Sequence, residues 1–142
     1  MVNPSAVYEL IDHTADIGVR VCGTSMAELF EHAAFALFDV MLDTSGVQPV
    51  FEREFACRRD SIEELLVEWL GTLLYVFDTE RIVFARFCVE RLDGQLLAAS
   101  AFGEHYDSGR HDLKTLIKAV TYHGLCVQQT HAGYAATVIF DT

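Results

Sequence analysis

The chain has 142 residues, of which 51% are hydrophobic, enough for one domain spanning 1–142 with a substantial core. That composition excludes a disordered chain, and no apolar run reaches the length needed to cross a bilayer. The 10 Lys and Arg stand against 21 Asp and Glu, a net charge of −11 whose field repels phosphate and disfavours direct binding of RNA or DNA.

The N-terminus, Met1 to Ser5, lacks the basic and apolar regions of a signal peptide, so a cytoplasmic protein is the default expectation. Cys22, Cys57, Cys88 and Cys126 are widely spaced and form no CxxC, which removes zinc-ribbon and thioredoxin readings. Reduced, half-buried strand cysteines are expected instead.

In chain order, Val7 to Leu10 and Ile17 to Val21 are predicted as short strands around a polar segment, Asp12-His13-Thr14-Ala15-Asp16. Ser25-Met26-Ala27-Glu28 has capping-box spacing, and Leu29, Phe30, Ala33, Ala34, Leu37, Phe38 and Met41 follow at helical intervals. This helix should run to about Leu42 and stop near Asp43 to Gly46. A strand from Phe51 to Cys57 leads to Ser61 and Glu64, which repeat the capping spacing. Ile62 to Phe77 then reads as a strongly apolar helix with Trp69 in the core. The two strand–helix stretches suggest a duplicated unit.

The remainder reads mainly as strand. Ile82 to Leu92 and Gln95 to Phe102 flank Asp93-Gly94, a hairpin dipeptide. Asp112 to Ile117 is expected to form one helical turn. Lys118 to Gln128 and Tyr134 to Phe140 should form a second hairpin around Thr130 to Gly133. The predicted class is α+β, two long helices on antiparallel sheet.

Nucleotide-binding loops of the GxxxxGK[ST] or GxGxxG type are absent, as are GxSxG and HExxH. Chemistry therefore rests on three places. Asp12, His13 and Asp16 crowd two carboxylates and an imidazole between apolar runs. Such oxygens suit a hard cation, although local sequence alone favours a polar turn bonding its own backbone. Asp141 and the terminal Thr142 follow directly on a strand-like run. If that strand pairs near the first, Asp16, Asp141 and the terminal carboxylate converge, which needs protons or a cation for neutralisation. Lys114 and Lys118, with His111 and His123, form a notable basic stretch in an otherwise acidic chain. It could receive a phosphate or an acidic partner, or be an exposed turn.

The blocks Asp12-His13-Thr14-Ala15-Asp16-Ile17-Gly18, Leu29-Phe30-Glu31-His32-Ala33-Ala34 and Phe38-Asp39-Val40-Met41 resemble the archease family. So do Lys114-Thr115, Lys118-Ala119-Val120-Thr121-Tyr122-His123-Gly124-Leu125 and Val138-Ile139-Phe140-Asp141, in the family's order across nearly the whole chain. The resemblance implies a cytosolic accessory protein, not an enzyme. It would activate an RtcB-type RNA ligase in tRNA splicing and RNA repair by promoting ligase guanylylation and repeated turnover. It also implies a divalent metal, calcium first with magnesium or manganese as alternatives, on Asp16, Asp141 and Thr142, with Asp12 and His13 as neighbours. The sequence departs from the family pattern at Leu116, where an acidic residue is frequent, and at Thr142, where an aliphatic one is common. Two rival readings are a stand-alone metal-dependent hydrolase using Asp12, Asp16 and Asp141, and a general chaperone with an exposed apolar patch.

Overall fold

A computed structural model describes residues 7–11 and 16–142. Asp12, His13, Thr14 and Ala15 lie outside the described residues. Strands β1 (Tyr8–Ile11) and β2 (Ile17–Gly23) pair antiparallel and lead into helix α1 (Met26–Met41). Ser25 caps that helix: its hydroxyl accepts the Glu28 amide at 3.1 Å. The Glu28 carboxylate reaches back to the Thr24 amide at 2.9 Å, one residue beyond the position a standard capping box would serve. A short 3-10 turn (Thr44–Gly46) follows.

Strand β3 (Phe51–Arg58) precedes helix α2 (Ile62–Glu80), capped in the same way by Ser61 and Glu64. Strands β4 (Ile82–Leu92) and β5 (Leu96–His105) form the expected hairpin, its turn held by the Asp93 carboxylate, which accepts the amides of Gln95 and Leu96. Strands β6 (Ala119–Thr121), β7 (Gln128–Thr130) and β8 (Gly133–Asp141) complete the chain.

The class is α+β, and among the described residues every strand pairing is antiparallel, as the pattern predicts. One sheet has three strands in the order β3-β5-β4. The other has five, in the order β1-β2-β8-β6, with β7 also on β8. The two strand–helix units, β2–α1 and β3–α2, begin in different sheets. Helix α1 packs on β2 of one sheet and β4 of the other, which is why it is buried on more than one face. Trp69 of α2 is fully buried, and its indole N–H donates to the Phe30 carbonyl of α1 at 3.0 Å. Its ring meets Phe55 and Phe87 edge-on, joining both helices to the three-stranded sheet.

Three expectations need correction. Residues 112–118 are extended, not a helical turn, because their amides are committed elsewhere. Those of Lys114 and Thr115 donate to the Met41 carbonyl at 2.7 and 3.2 Å, filling the open C-terminal end of α1, and Leu113 bridges to Leu42. The stretch Lys118 to Gln128 is not one strand. It is broken between β6 and β7 by a turn closed by the Leu125 amide on the Tyr122 carbonyl, with Gly124 at φ 65°. The cysteines are unpaired as expected, but only Cys57 is half-buried. Cys22 and Cys88 face outward on strands whose alternate residues serve the core, and Cys126 is exposed in the broken stretch.

Candidate functional site

Strands β2 and β8 pair with Ile17 opposite Phe140 and Gly18 opposite Ile139. The hydrophobic alternation of both strands sets this register, because Val19, Val21, Val138 and Phe140 must all point inward. Its next step brings Asp16, at the entry to β2, level with Asp141, the last residue of β8. Opposite residues of an antiparallel pair share a face. The two carboxylates therefore belong to one end of the five-stranded sheet, with Thr142 next in line. Asp16 and Thr142 are half-buried and Asp141 is exposed.

The basic stretch arrives at the same end. The Lys118 amide donates to the Asp141 carbonyl at 2.7 Å, and Ala119 pairs with Asp141 in β6. Lys114 and Thr115 line a cleft of about 400 Å³ together with Asp16, Ile17, Tyr8 and Val40. The ammonium of Lys114 also adds to the lowering of the Asp43 carboxyl, after the larger effect of hydrogen bonds from the Ser45 hydroxyl and amide. His123 lies in the turn on the far side of β6 from Lys118.

The donors at this end are oxygens, which suits a hard divalent cation better than a soft one. Asp16 and Asp141 supply carboxylates and Thr142 supplies hydroxyl and backbone oxygen. Among the described residues no group of three or more His, Cys, Asp and Glu is gathered closely enough to hold a metal ion. Asp12 and His13, the neighbours expected for this pair, are outside that description.

A buried network beside the cleft centres on Asp39, a residue of the Phe38-to-Met41 block to which the sequence reading gave no role. Asp39 of α1 is 8% exposed, and its two oxygens accept the Tyr8 hydroxyl at 2.8 Å and the Thr44 hydroxyl at 2.7 Å. Burial, reinforced by the bond to Asp39 and its charge, pushes the Tyr8 phenol well above its ordinary value. Tyr8 therefore remains a donor and holds one wall of the cleft. An aspartate on the apolar side of a helix was the available signal, since a buried carboxylate needs partners. A second network joins Glu104 to Arg110 and His111. Only the proximity of a carboxylate and a histidine in a turn-rich stretch hinted at it.

Comparison with known proteins decides the family. The sequence profile of the Archease protein family (MTH1598/TM1083) matches residues 8–142. The chain belongs to the archease family. It is 41% identical over 138 residues to protein archease of Methanosarcina mazei, with 94% of each chain covered. It is 38% identical over 135 residues to protein archease of Sulfurisphaera tokodaii, covering 94% of this chain and 97% of that one. The solution structure of protein 1598 of Methanobacterium thermoautotrophicum superposes with a TM-score of 0.82 at 38% identity, covering 95% of this chain and 98% of that one. The crystal structure of an archease, described as a possible chaperone, from Thermotoga maritima gives a TM-score of 0.65 at 24% identity, covering 93% and 94%. That second likeness shows the archease fold alone. Among the described residues, no helix is long and apolar enough to cross a membrane.

Proposed function

We propose that this archease-family chain is a metal-binding activator of an RtcB-type RNA ligase, serving tRNA splicing and RNA repair, and is not itself an enzyme. In this reading it promotes guanylylation of the ligase and its repeated turnover. The observation that carries the reading is the register of β2 on β8, which takes Asp16 and Asp141 to one strand end in a chain of this family. Asp16, Asp141 and Thr142 would hold a divalent ion, calcium in the first instance, with magnesium or manganese as alternatives. When bound, the ion supplies a positive centre among the carboxylates that can also meet phosphate oxygen.

The protein's own residues do the rest. The charge of −11 keeps the chain off RNA and favours a basic protein surface. Lys114 and Lys118 offer cations at the otherwise acidic end, where they can contact the ligase or its bound phosphate. The sequence lacks the phosphate-cradling loops that guanylylation of its own side chains would call for.

The test adds small amounts of the protein to the RtcB-type ligase of its own genome with GTP, metal and RNA. Ligase guanylylation should quicken and multiple turnovers should appear. Asp16→Ala and Asp141→Ala should lose this effect, together with any thermal stabilisation by calcium, while staying folded. Unchanged guanylylation and turnover with wild-type protein would make the reading wrong. Metal-dependent hydrolysis without the ligase would favour an enzyme, and suppression of aggregation of unfolded chains would favour a chaperone.

A further inference from the structure

Residues 106–118 connect β5 to β6 with no regular element beyond the single Leu42–Leu113 bridge. A segment with so few regular bonds opens easily unless something anchors it. One anchor is the backbone: the amides of Lys114 and Thr115 on Met41, and that of Lys118 on Asp141. A second is the Ile117 side chain, buried in the core, and a third is a set of side chains at the start of the segment.

Glu104, at the end of β5, is 7% exposed. Its Oε2 accepts the Gln48 amide at 2.8 Å and the His111 ring at 2.9 Å, and its Oε1 accepts the Arg110 guanidinium. His111 is itself 3% exposed. Its Nδ1 accepts the Asp107 amide at 2.9 Å, so the ring proton sits on Nε2 and is donated to Glu104. The ring also stacks on Tyr106 with centroids 5.8 Å apart. The Asp107 carbonyl closes the turn by accepting the amides of Arg110 and His111.

A buried carboxylate is tolerated only where donors replace its water. Here the donors come from two separate loops, the one before β3 and the one after β5. Apolar contacts could bury the same surface, but they have no direction. Hydrogen bonds to one carboxylate do, and they fix where the chain leaves His111. Asp112 follows at once, with its carbonyl on the Asp43 amide, and the lysine-bearing stretch begins two residues later.

We propose that Glu104 and His111 form a buried latch that positions residues 112–118, and so Lys114 and Lys118, against the Asp16–Asp141 end of the sheet. They are positioning residues. Their purpose rests on the proposed function of that end, whereas the test of the latch does not.

The full chain is compared by residue-resolved hydrogen exchange with two variants. His111→Phe keeps a ring to stack on Tyr106 but loses both hydrogen bonds. Glu104→Gln keeps the volume and loses the charge. In both, the amides of Lys114, Thr115 and Lys118 should exchange about tenfold to a hundredfold faster, the range for losing hydrogen bonds to a charged group. Amides of α2 and of the β2–β8 pairing should keep their protection. Wild-type rates at those three amides in both variants would overturn the latch. So would exchange rising equally throughout the molecule, or failure of both variants to fold, since the pair would then hold the whole core. A calcium titration of the wild-type chain runs alongside; absence of binding would remove the functional reading of the sheet end while leaving the exchange result to judge the latch.

Discussion

Replacing Asp39 by alanine should loosen the cleft without touching its open end. The carboxylate joins Tyr8 of β1, its own helix α1, and Thr44 of the turn that follows. Asp39→Ala removes both bonds and leaves two hydroxyls without their acceptor. A hydrogen bond to a charged group contributes about 1.5–3 kcal/mol. Tyr8 is half-buried at the cleft edge and regains water, while Thr44 is 7% exposed and regains less. The expected loss is therefore about 3 kcal/mol, the lower end of the simple sum of two such bonds. For a chain of this size that corresponds to a fall of about 10 °C in Tm. Urea unfolding reads the loss directly, and a double-mutant cycle with Tyr8→Phe should show coupling of about 1 kcal/mol or more. A loss under about 1 kcal/mol with an unchanged m value, or energies that merely add, would refute this account. The same bond sets an alkaline limit. Because burial and Asp39 raise the Tyr8 phenol in the folded state, its contribution is complete below the ordinary value of 10.0 and is lost as pH rises beyond it. Tyr8→Phe should remove that decline.

Glu104 gives the opposite dependence. Burial works against its charge, yet the Gln48 amide, His111 and Arg110 together hold its carboxyl down at about 2, below the ordinary 4.5. Its contribution to stability is therefore present above pH 4.5 and is lost as pH falls toward about 2. Glu104→Gln should reduce proton uptake on unfolding in that window by one, read from the slope of stability against pH, and an unchanged slope would count against the network. Gly103→Ala should destabilise by about 3 kcal/mol or more, or prevent folding, because its new Cβ would meet the Val83 carbonyl across the β4–β5 pairing. A soluble variant with wild-type Tm would show that the two strands can separate to admit a methyl group.

Local signals carried the helices and the hairpin. Ser25 with Glu28 and Ser61 with Glu64 mark real helix starts because a capping box acts within a few residues and needs no tertiary partner. Asp93-Gly94 marks the β4–β5 turn for the same reason. The fold class followed from these signals, whereas the pairing of the first and last long strands entered the sequence reading only as a condition. Where local bonds compete with distant ones, the reading failed. Asp112 to Ile117 has the look of a helical turn, but the distant Met41 carbonyl claims the amides of Lys114 and Thr115.

From residue order alone one obtains the apolar faces of α1 and α2, the acidic charge, and the blocks that resemble the archease family. Those depend on composition and on spacing within an element, which short-range sterics and hydrophobic periodicity express directly. Which sheet each strand joins, and that α1 is enclosed between the two sheets, are products of packing. So is the register that puts Asp16 level with Asp141, since an antiparallel pairing is set by which residues of two distant strands must face the core together. The Tyr8–Asp39–Thr44 and Glu104–His111 networks belong to the same category. A buried carboxylate has no local preference for one partner over another, and its donors are selected only when folding brings separate segments against it.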